Sequence, residues 1–401
     1  MKPLTVITVK PSLILIMCLL LAVLVPVNPV SAENASVSTH ARAAALIDVE
    51  SGRLLYSSRG DEPMLIASLT KIMTAIVAIE NGDLASKVKV GKNAFAKEGS
   101  SLYLKQGEEM LLEDMLYGLM LRSGNDAATA IAEHVGGSEQ GFVYLMNTKA
   151  EELGLKNTHF ANPHGLDAEG HYSSANDLAV LTAYALHNPV FKEIVGTQEK
   201  TADNPYEKWD YKWANKNKML RLYEGADGVK TGYTKKALRC LVSSATRGGQ
   251  QLVAVTLNDG NDWNDHAALL NFGFNHYPLK TLIERGEGIS GYSFVTSRKF
   301  AYPLGQGEEA RITTRLVLNE EPAARKKTVR GSSFGLKGTV VLQLGGKEIG
   351  RVPVYEPDRL PPEESMYMKR YSPAGTAAYP ADNWLQALGS ALRALLQMGR
   401  L

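Results

Sequence analysis

Residues 67–75 read Ala67-Ser68-Leu69-Thr70-Lys71-Ile72-Met73-Thr74-Ala75, which places a serine one helical turn before a lysine. In a helix, residues three apart share a face with their Cβ atoms about 5–6 Å apart, so an amine and a hydroxyl at this spacing can form a hydrogen bond. Because a serine hydroxyl is a weak nucleophile until a base removes its proton, Ser68 is the candidate nucleophile and Lys71 its candidate base. The motif alone is a weak signal, since an ordinary helical turn with a solvated lysine has the same pattern.

Two further motifs make it improbable that the spacing of Ser68 and Lys71 arose by chance. Ser123-Gly124-Asn125 follows an apolar run at 115–121, and Lys230-Thr231-Gly232 opens a segment that alternates like a strand. The three motifs stand in the order, and at roughly the separations, that the serine β-lactamase and penicillin-binding protein superfamily requires.

Longer strings around these motifs resemble one branch of that superfamily, the low-molecular-mass D-alanyl-D-alanine carboxypeptidases, over residues from about 40 to about 360. Within this family the chain is most similar to the sporulation-type enzymes of endospore formers. The strings that carry the family resemblance are Leu121-Arg122-Ser123-Gly124-Asn125-Asp126-Ala127-Ala128, Asn162-Pro163-His164-Gly165-Leu166-Asp167, Tyr172-Ser173-Ser174-Ala175 and Asp227-Gly228-Val229-Lys230-Thr231-Gly232-Tyr233-Thr234. Those that point to the sporulation branch are Gly136-Gly137, Val253-Ala254-Val255-Thr256-Leu257-Asn258-Asp259 and Asn261-Asp262-Trp263-Asn264-Asp265-His266.

The resemblance implies a substrate, a reaction and a set of site residues. The substrate is a peptidoglycan stem peptide ending in D-Ala-D-Ala, cleaved at its last bond through an acyl-enzyme on Ser68, with β-lactams as inhibitors and no cofactor. In the family pattern Ser123 passes a proton to the leaving D-Ala, and Asn125 binds the substrate amide and orients Lys71. The remaining expected roles are carboxylate binding by Lys230 and Thr231, close approach of the substrate at Gly232, and an oxyanion hole formed by the backbone N–H groups of Ser68 and Tyr233.

Lys71 can act as a base only when it is neutral. Lowering the pKa of an amine from ~10.4 to about 7–8 takes roughly 3–4 kcal/mol. The positive charge of Lys230 and burial of the helix start are the expected causes.

Composition limits the other classes of function. With 44% hydrophobic and 21% charged residues, the 401-residue chain fits a soluble protein of two domains rather than a disordered or multi-span membrane protein. Two of its 44 basic residues, Lys2 and Lys10, lie in the leader described next, which leaves 42 basic against 42 acidic residues. Nothing therefore indicates a nucleic-acid partner.

Residues 1–32 are predicted to be a secretory signal peptide. An apolar run at 13–25 follows Lys2 and Lys10, and Val30-Ser31-Ala32 supplies small residues for cleavage after Ala32. The alternative is a retained anchor, although the run is short for a membrane span. Cleavage would remove Cys18, leave Cys240 as a lone core cysteine and exclude a disulfide scaffold. The protein is accordingly expected to be exported to the outer face of the cytoplasmic membrane.

The pattern of residues 33–282 predicts an α/β (α+β) catalytic domain. Strand-like stretches at its two ends flank a helical middle, which favours one antiparallel sheet covered by helices, the fold that the resemblance also implies. The predicted hairpins lie at 42–56 and 238–257, and the predicted helices at 68–79, 111–121, 127–135, 142–153, 177–186 and 266–274.

The C-terminal third differs from the catalytic domain in its pattern of apolar residues. Short alternating stretches at 312–318 and 340–344 predict a small β-rich domain at 283–358, followed by a linker at 359–380. Residues 381–401 have leucines and Trp384 on one side and polar residues on the other, typical of an amphipathic helix in a membrane interface. The alternative is a helix that packs on protein.

Two other functions and a metal site are the alternatives to the predicted carboxypeptidase activity. A class A β-lactamase needs a carboxylate base in a Glu-x-x-Leu-Asn loop, and that string is absent. A non-catalytic peptidoglycan-binding protein would typically have lost Ser68, Lys71 or Lys230, and all three are present. A metal site at His159, His164 and His171 fits no common zinc spacing, so no metal is expected.

The chain departs from some relatives after Leu257. Several carboxypeptidases have an arginine there that helps to bind the substrate carboxylate, whereas this chain has Asn264-Asp265-His266. The residues that bind the carboxylate beyond Lys230 and Thr231 are therefore left open.

Overall fold

A computed structural model of the chain describes residues 37–319 and 335–362. The strands are β1 (Ala43–Asp48), β2 (Leu54–Ser58), β3 (Lys87–Lys89), β4 (Glu109–Leu111), β5 (Glu199–Ala202), β6 (Tyr211–Ala214), β7 (Ala226–Thr234), β8 (Leu238–Arg247), β9 (Gln250–Leu257), β10 (Leu279–Ile283), β11 (Val295–Thr296), β12 (Phe300–Pro303), β13 (Ile312–Leu318), β14 (Leu336–Leu344) and β15 (Lys347–Tyr355). The helices are α1 (Lys71–Asn81), α2 (Leu112–Tyr117), α3 (Asn125–Gly136), α4 (Glu139–Glu152), α5 (Ala175–Leu186), α6 (Pro189–Gly196), α7 (Met219–Leu222) and α8 (Asp262–His276).

The central sheet has five antiparallel strands in the order β2-β1-β9-β8-β7. Every residue of β1 is buried, because helices cover both faces of the sheet. On one face, α8 packs so closely that a Cβ on Gly273 would lie 2.5 Å from Leu252 and 2.9 Å from Leu46. On the other face, Ile47 and Val255 join the core that includes α1 and α5. The predicted α+β class, with an antiparallel sheet covered by helices, is confirmed.

The sheet ends in a strand with one free edge. β7 pairs with β8 on one side only, and its other side faces the turn that carries Ser68. The hairpins predicted at 42–56 and 238–257 correspond to the pairs β1–β2 and β8–β9. An edge strand can pair with one more extended chain, so β7 is suited to bind a peptide.

Two helix boundaries differ from the sequence prediction. The helix expected to begin at Ser68 instead starts with a 3-10 turn, Ala67–Thr70, and α1 follows from Lys71. The run expected as one helix at 111–121 is divided into α2 and a π-helical turn, Gly118–Arg122. The 3-10 turn contains Ser68, and the π-helical turn ends directly before Ser123. Turns of the π-helical type often occur at functional sites.

Two helices, α6 and the short α7, were not predicted. Asn188-Pro189 was interpreted as the end of α5, but the same dipeptide also starts α6. The Asn188 side chain caps the helix by accepting hydrogen bonds from the backbone N–H groups of Val190 and Phe191. Proline fits the first helical position because its missing N–H would have no partner there.

The C-terminal strands form a second sheet, in the order β11-β15-β14-β13, with a core of its own around Leu342 and Val354. The strand stretches predicted at 312–318 and 340–344 are confirmed as β13 and part of β14. Arg53 joins this region to the β1–β2 turn, with a bidentate ion pair to Glu308 at 2.7 and 2.8 Å.

The predicted domain boundaries stay predictions, since the described residues from Ser38 onward belong to one compact unit. The signal peptide at 1–32 and the amphipathic helix at 381–401 lie outside the described residues, as does most of the linker at 359–380. Within the described ranges, none of the helices combines the length and apolar character needed to cross a bilayer.

Candidate active site

The candidate nucleophile lies on a tight turn against β7. Ala67, directly before Ser68, has a φ of 47°, in the left-handed region that residues other than glycine seldom adopt. Gly232 allows this turn to approach the strand, because a Cβ there would lie only 3.2 Å from the backbone nitrogen of Ser68 and 3.3 Å from the Ala67 Cβ. The backbone N–H of Ser68 is thus held beside the free edge of β7.

Lys71 is fully buried, and its amine has three partners. Its Nζ lies 3.0 Å from Ser68 Oγ, 2.7 Å from Asn125 Oδ1 and 2.5 Å from the carbonyl oxygen of His164. A neutral amine has two hydrogens and one lone pair. It can donate to the two carbonyl oxygens and accept from the Ser68 hydroxyl, which is the arrangement that a general base for Ser68 requires.

The electrostatics favour that neutral form. Burial, followed by the positive charges of Lys230 and Lys216, lowers the pKa of Lys71 well below its usual range. Burial and the charge of Lys216 lower the pKa of Lys230 to about 7. Within the described residues neither Lys71 nor Lys230 forms an ion pair with a carboxylate. The charge of Asp126 raises the pKa of Lys71, but less than burial and the two lysines lower it.

Ser123-Gly124-Asn125 forms the bend between the π-helical turn and α3. Ser123 has a φ of 67°, also left-handed, and its side chain is 4% exposed. Asn125 is fixed from two directions, since its Nδ2 donates to the Glu98 carbonyl at 2.6 Å while its Oδ1 accepts from Lys71. The amide of Asn125 therefore has one orientation, with its oxygen toward Lys71.

A cleft of about 500 Å³ brings most of the predicted residues together. Lys71, Asn125 and Lys230 do not line it and are buried, with 0%, 4% and 1% of their surface exposed. The amine of Lys230 donates to the backbone carbonyl of Thr231 at 2.8 Å. The predicted residues that line the cleft are Ser68, Ser123, Thr231, Gly232 and Tyr233.

Two cations in the cleft were not predicted. Lys216 lies between β6 and α7 and donates to Ser100 Oγ at 3.3 Å, and burial lowers its pKa. Arg239 stands opposite Tyr233 in the β7–β8 register, pairs with Asp262 and lies over the ring of Trp263. The period-2 alternation of β8 and the short loop to β7 are the only sequence signals that could have placed Arg239 there.

The segment 162–167 packs against the turn that carries Ser68. The Asn162 side chain ties it internally by accepting from the Gly165 N–H at 2.7 Å, and Thr74 donates to the Pro163 carbonyl at 2.6 Å. Gly165 has a φ of 87°, and a Cβ there would lie 2.0 Å from the Ala67 carbonyl oxygen. Glycine at 165 is thus required by a close backbone approach.

The three histidines considered as metal ligands have other partners. His164 faces Glu139 at 3.6 Å, His171 contacts Thr70 at 2.8 Å, and His159 Nδ1 lies 2.5 Å from the Gly170 carbonyl. Cys240, predicted as a core residue, is 1% exposed and lies opposite Gly232.

Comparison with known proteins identifies the family. A family profile described as D-alanyl-D-alanine carboxypeptidase matches residues 28–261. The D-alanyl-D-alanine carboxypeptidase DacF of Bacillus subtilis (strain 168) is 36% identical in an alignment 332 residues long that covers 78% of this chain and 84% of the relative. The chain belongs to the D-alanyl-D-alanine carboxypeptidase family. The corresponding DacC of Escherichia coli (strain K12) is 35% identical, over 79% of this chain and 83% of the relative.

Two solved structures agree with this family assignment. Penicillin binding protein 5 from Haemophilus influenzae matches with a TM-score of 0.64 at 27% identity, over 80% of this chain and 97% of the other. DacD from Francisella tularensis matches with a TM-score of 0.63 at 26% identity, over 80% and 94%. The protein is a serine-type D-Ala-D-Ala carboxypeptidase, as its three motifs predicted.

Proposed function

We propose that this carboxypeptidase removes the terminal D-alanine of peptidoglycan stem peptides through an acyl-enzyme on Ser68. The observation that carries the proposal is the set of contacts around Lys71. Its two carbonyl partners use both hydrogens of a neutral amine, which leaves the lone pair for the hydroxyl of Ser68 at 3.0 Å.

In the proposed acylation, Lys71 takes the hydroxyl proton as Ser68 Oγ attacks the carbonyl carbon of the penultimate D-alanine. The oxyanion is bound by the backbone N–H groups of Ser68 and Tyr233, and losing one such donor typically costs about 10²–10³ in rate. When the C–N bond breaks, Ser123 gives its hydroxyl proton to the departing nitrogen and receives the proton that Lys71 took from Ser68, so D-alanine leaves with its amine restored and Lys71 is neutral again. Lys71 then takes a proton from the water that attacks the ester and returns it to Ser68 Oγ as the shortened peptide leaves.

The C-terminal carboxylate of the substrate is the proposed recognition element. With the peptide lying along the free edge of β7, Lys230 and Thr231 bind the carboxylate, and Gly232 leaves room for the chain. Lys216 and Arg239 add two further cations to the same cleft. They are our candidates for the role that an arginine after Leu257 has in several relatives.

The β-lactamase alternative has less support. Rapid deacylation would need a carboxylate that activates water beside the acyl-ester. No carboxylate of the described residues lies within hydrogen-bond distance of Lys71 Nζ, whose third partner is the backbone of His164. A non-catalytic binding role would not require a buried lysine with a lowered pKa next to a serine.

The direct test is release of D-alanine from a soluble peptide that ends in D-Ala-D-Ala. We expect this peptide to be shortened by one residue. The same peptide with a C-terminal carboxamide would release D-alaninamide instead of D-alanine, so both reactions are followed by the appearance of the shortened peptide, and the carboxamide should react at least about tenfold more slowly, because a charged hydrogen bond is worth about 1.5–3 kcal/mol. Wild-type protein that releases no D-alanine would refute the hydrolytic function. Reaction of the carboxamide at an equal rate would refute recognition of the carboxylate.

The site of action is proposed to be the cell envelope, where the substrate lies. The signal peptide at 1–32 and the helix at 381–401 are the sequence features that support export and attachment to the outer face of the cytoplasmic membrane. The assignment to the sporulation-type branch rests on Gly136-Gly137 and on the strings between Val253 and His266, and a role in sporulation stays a prediction.

Truncation after Pro380 should release the mature protein from lipid vesicles without changing D-alanine release. Each large apolar side chain buried in the interface contributes up to roughly 1.5–3 kcal/mol, less when it is partly inserted. A full-length control with Leu388, Leu392 and Leu395 changed to serine should dissociate in the same way. If truncated and full-length proteins sediment equally with vesicles, the helix packs on protein instead.

A further inference from the structure

The peptide group that joins Ala67 to Ser68 has both of its polar ends in the candidate site. It is planar and trans, so the Ala67 carbonyl and the Ser68 N–H point in opposite directions. Any contact that fixes the carbonyl oxygen also fixes the direction of the Ser68 N–H. That N–H is one of the two proposed oxyanion donors, and the inference below rests on that proposed function.

Thr70 holds the carbonyl end of this peptide group. Its Oγ1 donates to the Ala67 oxygen at 2.9 Å, and Thr70 is completely buried. Next to this contact, Gly165 approaches so closely that a Cβ there would lie 2.0 Å from the Ala67 oxygen and 2.9 Å from Thr70 Oγ1. The carbonyl is thus held by a hydroxyl donor and a closely packed backbone segment, although Ala67 has an unfavourable left-handed φ.

His171 holds Thr70 in turn. The single hydroxyl proton of Thr70 is used on Ala67, so Thr70 Oγ1 must accept a hydrogen from His171 Nε2, which lies 2.8 Å away. The other ring nitrogen, Nδ1, accepts from the backbone N–H of Ala161 at 3.0 Å. These two bonds assign the neutral Nε2–H tautomer to a ring that is 2% exposed and packs edge-on against Phe160.

We infer that His171, acting through Thr70, is a positioning residue that aims the Ser68 N–H at the oxyanion of the acylation transition state. The chain of contacts runs from the Ala161 backbone through His171 and Thr70 to the Ala67–Ser68 peptide. Burial lowers the pKa of His171 to about 4, so the ring keeps its neutral form at neutral pH.

The chain offers a matched pair of variants at this position. In His171→Gln the side-chain amide can replace Nε2 and still donate to Thr70, but the bond to Ala161 is lost. In His171→Asn the side-chain oxygen can replace Nδ1 and still accept from Ala161, but the bond to Thr70 is lost. Each variant loses one of two buried hydrogen bonds, so the two should be destabilised to a similar extent.

The experiment separates acylation by benzylpenicillin into the noncovalent binding constant and the first-order acylation rate. We expect His171→Asn and Thr70→Val to slow the acylation rate about 10-fold to 100-fold, less than loss of a whole donor, with little change in binding. His171→Gln and Thr70→Ser should stay near wild type. The double variant Thr70→Val/His171→Asn should be no slower than Thr70→Val, because the two residues act in series.

Two results would overturn the inference. One is an acylation rate for His171→Asn or Thr70→Val equal to that of wild type. The other is a His171→Gln rate as low as that of His171→Asn, which would mean that the rate follows stability alone. A wild-type protein that benzylpenicillin does not acylate would instead refute the proposed acyl-enzyme, and this inference with it.

Discussion

Benzylpenicillin should add the mass of one whole penicillin to Ser68, and Ser68→Ala should remove the adduct entirely. The β-lactam ring presents a strained amide and a carboxylate in the positions of the last D-Ala-D-Ala bond and its C-terminus. Opening the ring breaks the amide without releasing a fragment, so the full mass stays on the enzyme. Loss of a serine nucleophile costs on the order of 10⁶-fold in comparable hydrolases.

Mass spectrometry of the intact protein and of its peptides measures this outcome. Ser290→Ala, at an exposed serine far along the chain from the three motifs, is the control and should be labelled like wild type. The adduct should decay slowly, since among the described residues no carboxylate lies within hydrogen-bond distance of Lys71 Nζ. A label on another residue of the folded protein would disprove the role of Ser68, and rapid decay would favour the β-lactamase alternative.

The sequence was sufficient where chemistry depends on short-range spacing or on strand alternation. Ser68 and Lys71 are three residues apart, so their contact could be predicted. Two strand-like runs on either side of the turn at 247–250 also predicted the β8–β9 hairpin, whereas the strand order of the sheet was left open. The small apolar residues of β1 likewise indicated a strand, which is buried on both faces.

The parts that could not be predicted depend on tertiary contacts. Ala67 and Ser123 adopt left-handed backbone conformations, although neither residue type favours them. They are held there by surrounding groups, such as Thr70 and Gly165 for Ala67. The helix propensity of a residue does not depend on such tertiary contacts. The sequence pattern therefore predicts ordinary α-helix where the structure has the 3-10 and π-helical turns.

The two unpredicted cations illustrate the same limit. Lys216 follows a short strand, and long-range contacts hold it at the cleft, among them the hydrogen bond from its backbone N–H to the Leu121 carbonyl at 3.1 Å. Arg239 depends on a register in which it stands opposite Tyr233. The positions of Lys216 and Arg239 in the cleft therefore do not follow from their neighbours in the sequence. Lys71 and Lys230, in contrast, could be predicted from the motifs that contain them.

Replacing Lys230 by alanine should lower acylation at pH 7 by about a hundredfold and change the shape of the pH profile. The variant loses a charged hydrogen bond to the carboxylate, worth about 1.5–3 kcal/mol. It also loses a positive charge that lowers the pKa of Lys71. The pKa of Lys71 therefore rises, and a larger fraction of the base is protonated at neutral pH.

The pH dependence of acylation follows from the charge that each of the two lysines must have. Acylation needs a neutral Lys71, which favours pH above its lowered pKa, and a charged Lys230, which favours pH below about 7. For wild type, kcat/KM should therefore rise through the pKa of Lys71 and fall through that of Lys230. In Lys230→Ala the alkaline fall should disappear, and the acid rise should move to higher pH, with partial recovery of activity there.

Lys236→Ala is the matched control, because Lys236 lies just beyond the same strand but is exposed. It should keep the wild-type profile, since solvent screens its charge from the buried pair. A Lys230→Ala variant that is acylated at pH 7 as fast as wild type would show that Lys230 neither binds the carboxylate nor tunes Lys71. If only the alkaline fall disappears while the acid rise stays in place, Lys230 binds the carboxylate, and burial together with Lys216 is sufficient to keep Lys71 neutral.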